Sequence, residues 1–241
     1  MLPLKDTIPS HSFPLITWIL IVINALVFML ELSLSREEAE ALFYLLGLVP
    51  ARYSHPAWAE IAGLRTDTLW PFVTNMFLHG GWGHFLGNMW TLYIFGDNVE
   101  DNMGRRNFLL FYLLCGILAS VTHYYTNIHS TLPAIGASGA ISGVMGAYML
   151  LFPSSKIIFW VPIFFFPYFV ELSAFIYLLF WFVGQLISGT FSFLLFQGQV
   201  GGIAFWAHIG GFVAGMVLYK FFVRKGKYRF YEDEYFKKYL N

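Results

Sequence analysis

Residues 136–153 read GASGAISGVMGAYMLLFP, and the class of fold turns on this short stretch. It carries no charge, opens with four small residues and closes on a proline, which cannot continue a helix. It reads as a membrane span from about Ser138 to Phe152 that Pro153 stops. The pattern persists outward. Between Asn107 and Val223 the only formal charges are Lys156, Glu171 and Lys220. Of the 241 residues, 58% are hydrophobic and 12% charged, about half the charged share usual in a globular chain. This is the composition of a membrane protein. Fourteen basic residues balance fourteen acidic ones, which gives no case for a nucleic-acid partner. The single cysteine, Cys115, sits in an apolar run; it excludes an internal disulfide and argues against a thiolate metal cluster.

A helix needs about 20 largely apolar residues to cross a bilayer core. Six charge-poor runs fit, at about 13–32, 82–95, 107–125, 138–152, 171–193 and 201–223. The first reads as a retained span, since Met1 to Ser12 is not basic and no small-residue cleavage site precedes the charged stretch beginning at Arg36. Residues 156–168, aromatic and interrupted by Pro162 and Pro167, read as an interfacial or re-entrant piece. Residues 33–81 mix charged and apolar groups and predict a folded outer loop with short amphipathic helices. The expected fold is therefore an all-α membrane protein, a six-transmembrane helical bundle with a long, partly helical first outer loop. Its membrane domain spans 1–225, and a short cytoplasmic tail, 226–241, follows. With six spans both termini share a side. That side collects eleven Lys/Arg, against Arg36, Arg52 and Arg65 on the other, which predicts cytoplasmic termini.

A polar side chain inside a span is costly unless it is paired or lines a wet cavity. Such residues gather here at one depth. His84 and Asn88 are four apart and share a helical face near the outer end of the second span. The fourth span opens with Gly136-Ala137-Ser138-Gly139, a serine flanked by residues too small to cover it. His208 lies seven residues into the sixth, about 10 Å along the axis. From Ser138 to Pro153 is fifteen steps, about 22 Å of helix against a core of roughly 30 Å. With Pro153 near the inner interface, Ser138 is recessed below the outer surface. Its helix N-terminus leaves backbone N–H groups unpaired and a partial positive charge beside the serine, which suits an oxyanion.

Gly139 and Gly143 form a G-x-x-x-G pair, and Ala207, Gly211 and Gly215 form a small-residue stripe beside His208. Close packing along the two stripes would bring Ser138 Oγ within reach of a His208 ring nitrogen. A neutral imidazole that takes the serine proton during attack supplies the activation a serine lacks alone. The Asn88 amide and a His84 ring N–H would then donate to the developing negative oxygen. Taken singly, each feature has a packing explanation; converging from three helices at one depth, they are hard to explain by packing. A transporter would place its polar site near the midplane and repeat its halves. A zinc protease would need a ligand set such as H-E-x-x-H, which is absent. A scaffold that only binds single-pass helices would not need a nucleophile, a base and donors together.

The segment His79-Gly80-Gly81-Trp82-Gly83-His84-Phe85-Leu86-Gly87-Asn88, the Gly136-Ala137-Ser138-Gly139 turn, and Ala207-His208-Ile209-Gly210-Gly211 with Gly215 together resemble the rhomboid intramembrane serine proteases. The resemblance covers roughly 13–223 in span order. Gly104-Arg105-Arg106, and Trp181 with Gln185, also resemble bacterial members, for which the inner membrane is the expected location. The resemblance implies a Ser138–His208 dyad without metal or cofactor. It implies an oxyanion hole from His84, Asn88 and the backbone at Ser138 and Ala137, with His79 in support. Expected substrates are single-pass membrane proteins, cut at or just inside the outer interface. Residues 156–168 and span five would form the mobile side of the access route. The chain departs from common patterns twice. Trp70-Pro71 stands where many members have Trp-Arg, and Ser142 stands where some carry an aromatic ring against the catalytic histidine.

Overall fold

The computed structural model describes residues 2–163, 166–196 and 204–224; the tail expected at 226–241 lies outside them. Six helices form the bundle: α1 (Leu15–Ser33), α6 (Trp82–Met103), α7 (Arg105–Thr126), α8 (Ser138–Leu151), α9 (Ala174–Phe196) and α10 (Phe205–Phe222). Among the described residues, α1, α7, α9 and α10 are long and apolar enough to cross a membrane, and α8 is a shorter apolar helix. The chain is an integral membrane protein. α8 stands at the centre, with every residue from Gly139 to Met149 buried, packed by α6, α7 and α10. That is the environment its all-round apolarity requires. It ends at Phe152, whose N–H returns to Tyr148 O, just ahead of Pro153.

α6 runs eight residues beyond the expected limit at Phe95. The extension is polar because it anchors its neighbours. Glu100 caps the start of α1, accepting from the N–H groups of Ile16 and Thr17 at 2.9 and 2.8 Å and from Thr17 Oγ1 at 2.9 Å. A carboxylate there satisfies donors the helix cannot and meets the positive end of its dipole. Ser12 Oγ donates to Asp101, and Asn107 Nδ2 donates to Phe222 O at 2.9 Å, tying the end of α10 to the first turn of α7.

The outer loop carries α2 (Arg36–Leu46), α3 (Ala51–Ser54), α4 (Pro56–Ile61), α5 (Pro71–Thr74) and a 3-10 turn, Asn75–Phe77. Ser35 and Glu38 close a reciprocal capping box on α2. Arg52 is fully buried, and neutral oxygens receive its donors: Nε donates to Arg65 O at 2.6 Å, Nη1 to Leu45 O and Nη2 to Thr68 Oγ1, both at 3.1 Å. One guanidinium thus gathers three stretches of loop. Pro71, at the position of the missing family arginine, opens α5.

The segment read as interfacial or re-entrant is a β-hairpin. β2 (Lys156–Ile163) pairs antiparallel with β3 (Phe166–Ser173), and β1 (Leu2–Asp6) pairs antiparallel with β2, so a small sheet accompanies the helical bundle. β-branched and aromatic residues favour a strand. Pro162 and Pro167 face each other near the hairpin end, where a missing donor costs least. The sheet follows the C-terminal end of α8, opposite Ser138, which corrects the expectation that 156–168 borders the access route. Span five starts later than expected, at Ala174. Glu171 lies on β3, paired with Lys156 at 3.0 Å.

Asp6, at the end of β1, accepts from Asn98 Nδ2 at 2.7 Å and Tyr148 OH at 2.5 Å. Burial pushes its carboxyl up to about 7, against Tyr148, whose hydrogen bond lowers it, and with Asp97, whose charge raises it further. A folded value above the ordinary 3.8 means the native state holds a proton that the unfolded chain releases. The stabilisation is complete below about pH 4 and is lost as pH rises through about 7. Thermal melts in detergent should give a higher Tm at pH 5 than at pH 8, and Asp6→Asn should shrink that difference; an undiminished difference in the variant would assign it elsewhere.

Candidate active site

The chain entering α8 is held from the outer loop. Leu48 and Ala134 exchange backbone hydrogen bonds at 3.0 and 2.8 Å, and Gly136 N–H donates to Asn75 O at 2.8 Å. Gly136 has φ +125°, a conformation glycine adopts without strain. A Cβ there would lie 2.5 Å from His84 Nε2 and 3.6 Å from Asn88 Nδ2. The two polar side chains of α6 thus lie against the turn immediately before Ser138, in space only a glycine leaves open. Ala137 caps α8 with no side-chain hydrogen bond, and Ile141 N–H is the donor that returns to Ala137 O, at 3.0 Å. The N–H groups of the first turn face away from the helix body, with the positive end of its dipole behind them.

Ser138 meets His208 because two helix backbones touch. A Cβ on Gly211 would overlap Gly139 O, and one on Gly215 would overlap Gly143 O. Both small-residue stripes expected from the sequence are therefore in contact with each other. The result is a separation of 2.7 Å between Ser138 Oγ and His208 Nε2. On the other side of the ring, His208 Nδ1 lies 2.7 Å from Gln185 Oε1 of α9. Trp181, one turn earlier on α9, sets its ring 5.9 Å from the His208 ring at 33°.

His79 is buried at 1% exposure and its Nε2 lies 3.0 Å from Asn88 Nδ2. As acceptor it takes one amide hydrogen and leaves Asn88 the other. Its ring packs edge-on against Phe28, His84 and Phe85. Glu31 is 6% exposed, and both its oxygens accept from His79 N–H at 3.1 and 3.2 Å. A cavity of about 20 Å³ beside Ser138 is lined by Asn75, Ser120 and His123 among others, enough for roughly one water molecule. His123 is buried at 9% exposure and borders this cavity. His129 is exposed, its Nδ1 3.2 Å from His55 Nε2.

The ring missing at Ser142 has a replacement. Ser142 Oγ donates to Ser138 O at 2.6 Å, and the aromatic surface beside His208 comes from Trp181. Trp181 and Gln185 were marked in the sequence through the resemblance, but their contact with His208 was not, because they belong to another helix; their four-residue spacing on a single face was the available signal. The contribution of Asn75 through its backbone oxygen had no side-chain signal at all.

A family description, Rhomboid domain, matches residues 66–225. The chain is 30% identical over 121 residues to the putative rhomboid protease YdcA of Bacillus subtilis, covering 46% of this chain and 58% of that protein. It is 37% identical over 90 residues to the rhomboid protease GluP of the same organism, covering 37% of this chain and 17% of GluP. It is 28% identical over 130 residues to the chloroplastic rhomboid-like protein 11 of Arabidopsis thaliana, covering 53% and 42%. The chain thus spans less than two thirds of the length of each of these relatives.

Proposed function

Because this chain belongs to the rhomboid family, we propose that it is an intramembrane serine endopeptidase that hydrolyses peptide bonds in or next to the transmembrane segments of single-pass membrane proteins. The observation that carries this reading is the 2.7 Å separation of Ser138 Oγ and His208 Nε2 at the N-terminus of a short, enclosed helix. Ser138 attacks the peptide carbonyl while Nε2 takes its proton; the imidazolium then returns that proton to the leaving amine, and water repeats the sequence on the acyl-enzyme. The oxygen that becomes negative is met by the Ser138 backbone N–H, the remaining Asn88 amide hydrogen and a His84 ring N–H, with the Ala137 N–H beside them. His79 fixes the Asn88 amide. Gly136 leaves room for His84, and Gly139, Gly211 and Gly215 let α8 and α10 approach. No metal or cofactor enters these steps.

Cytoplasmic termini, with the serine opening toward the outer face, are supported by eleven Lys/Arg on one side against three on the other, and a bacterial inner membrane by the resemblance to bacterial members. A locally unwound segment of a single-pass protein would reach it there. The test is cleavage of a model single-pass substrate in proteoliposomes. Wild type should release two fragments cut near the outer interface and Ser138→Ala none; fragments from both proteins would remove the reading.

A further inference from the structure

His208 is gripped from α9, and the grip is specific to one protonation pattern. An amide oxygen can only accept a hydrogen bond, so the 2.7 Å contact of Gln185 Oε1 with Nδ1 requires the ring proton on Nδ1. That leaves the Nε2 lone pair facing Ser138 Oγ, 2.7 Å away, the one tautomer in which the imidazole can act as base. Trp181 and Gln185, and across from them His208 and Phe212, are each four residues apart, so each pair lies on one helix face. Trp181 packs on both partners, 5.9 Å from the His208 ring and 5.8 Å from Phe212, and Phe182 stacks on Phe212 at 4.7 Å.

We propose that Gln185 is the positioning residue for His208, the third member of a Ser138–His208–Gln185 relay whose last link is carried on α9. The inference rests on the Ser138–His208 reading above and deepens it. During attack the Ser138 proton moves to Nε2, and Nδ1–H stays in place while its bond to Oε1 becomes charge-assisted. A neutral amide does this work without the desolvation penalty of a carboxylate within the membrane. The location of the third group also has a consequence. Only 17% of the most apolar stretch of α9 is buried against the protein, compared with 28% for α10, while α8 is buried from Gly139 to Met149, so α9 is held less firmly than the helices that carry the dyad. Displacing it takes the acceptor off Nδ1 and the Trp181 ring off His208, and the base loses its orientation until the helix returns.

The experiment compares wild type, Ser138→Ala, Gln185→Leu and Gln185→Glu in proteoliposomes with a single-pass substrate, recording kcat, KM and their pH profiles, with thermal melts to confirm folding. Gln185→Leu should lower kcat about 10- to 100-fold, the range expected when a catalytic group loses its orientation, with KM within about twofold. Gln185→Glu should recover much of kcat and move the acid limb of its profile to higher pH, since a carboxylate at Nδ1 favours the doubly protonated ring. A structural role would move neither limb. Unchanged kcat in Gln185→Leu, or a loss carried wholly by KM, overturns the relay while leaving the dyad standing. Should Gln185→Leu fail to fold, a Gln185→Glu profile identical to wild type overturns it equally. Cleavage by Ser138→Ala equal to wild type overturns the dyad and the relay together.

Discussion

Replacement of Ser138 or His208 by alanine should abolish covalent labelling of the reconstituted protein by a fluorophosphonate and lower its proteolytic rate by roughly 10⁴-fold or more. The probe reports the nucleophile directly, because it traps an oxygen whose proton has a place to go. Ser138→Ala removes that oxygen. His208→Ala leaves it in place but strips it of the acceptor 2.7 Å away, and a hydroxyl is a weak nucleophile at its free pKa. The two substitutions should not add: groups that act as a unit lose nearly everything at the first deletion. Labelling that survives undiminished in both variants would show that the serine of the G-A-S-G turn is a packing residue.

The second large effect is expected at a residue that touches no substrate. Gly215→Ala should reduce activity by about 10²-fold, the usual cost of a misplacement on the order of 1 Å in reacting groups, and should destabilise the protein by roughly 1–3 kcal/mol, as overpacking does. A Cβ at 215 would overlap Gly143 O, a backbone atom that cannot rotate aside, so α8 and α10 must separate. The dyad is split between those helices, and its hydrogen bond lengthens as they part. Gly184→Ala in α9 is the control, since nothing lies within 4 Å of the Cβ it would add. Comparing the two variants for fluorophosphonate labelling rate and Tm tests the argument. Equal behaviour would show that close helix contact is not what holds the base to the nucleophile.

Much of the bundle was legible because lipid imposes a strict rule: backbone polar groups must be satisfied within the helix, so spans appear as long charge-free runs. α8 is the clearest case. Its small residues and terminal proline announce a short enclosed helix, and it runs Ser138–Leu151. The same rule blurred α6, where Asp97, Glu100 and Asp101 suggest an end that the helix runs past. Those acids are accommodated because Glu100 caps another helix and Asp101 accepts from Ser12. The hairpin was hidden for the opposite reason. Its residues are apolar on both faces, so no period-2 alternation marks strands, and its β1 partner comes from residues more than 150 positions away.

Sequence alone determined the membrane class, the approximate spans and the chemical inventory of the site: a serine between small residues, three histidines, an asparagine and two glycine stripes. Hydrophobicity and helical periodicity are local properties, readable along the chain. Which group pairs with which is not local. Tertiary structure decided that Glu31 receives the His79 N–H, that His123 faces inward, and that Gln185 and Trp181 of α9 hold the imidazole in place of a ring at Ser142. Each of these contacts depends on side-chain reach across an interface between separate elements, and one element's pattern does not encode the rotation of its neighbour.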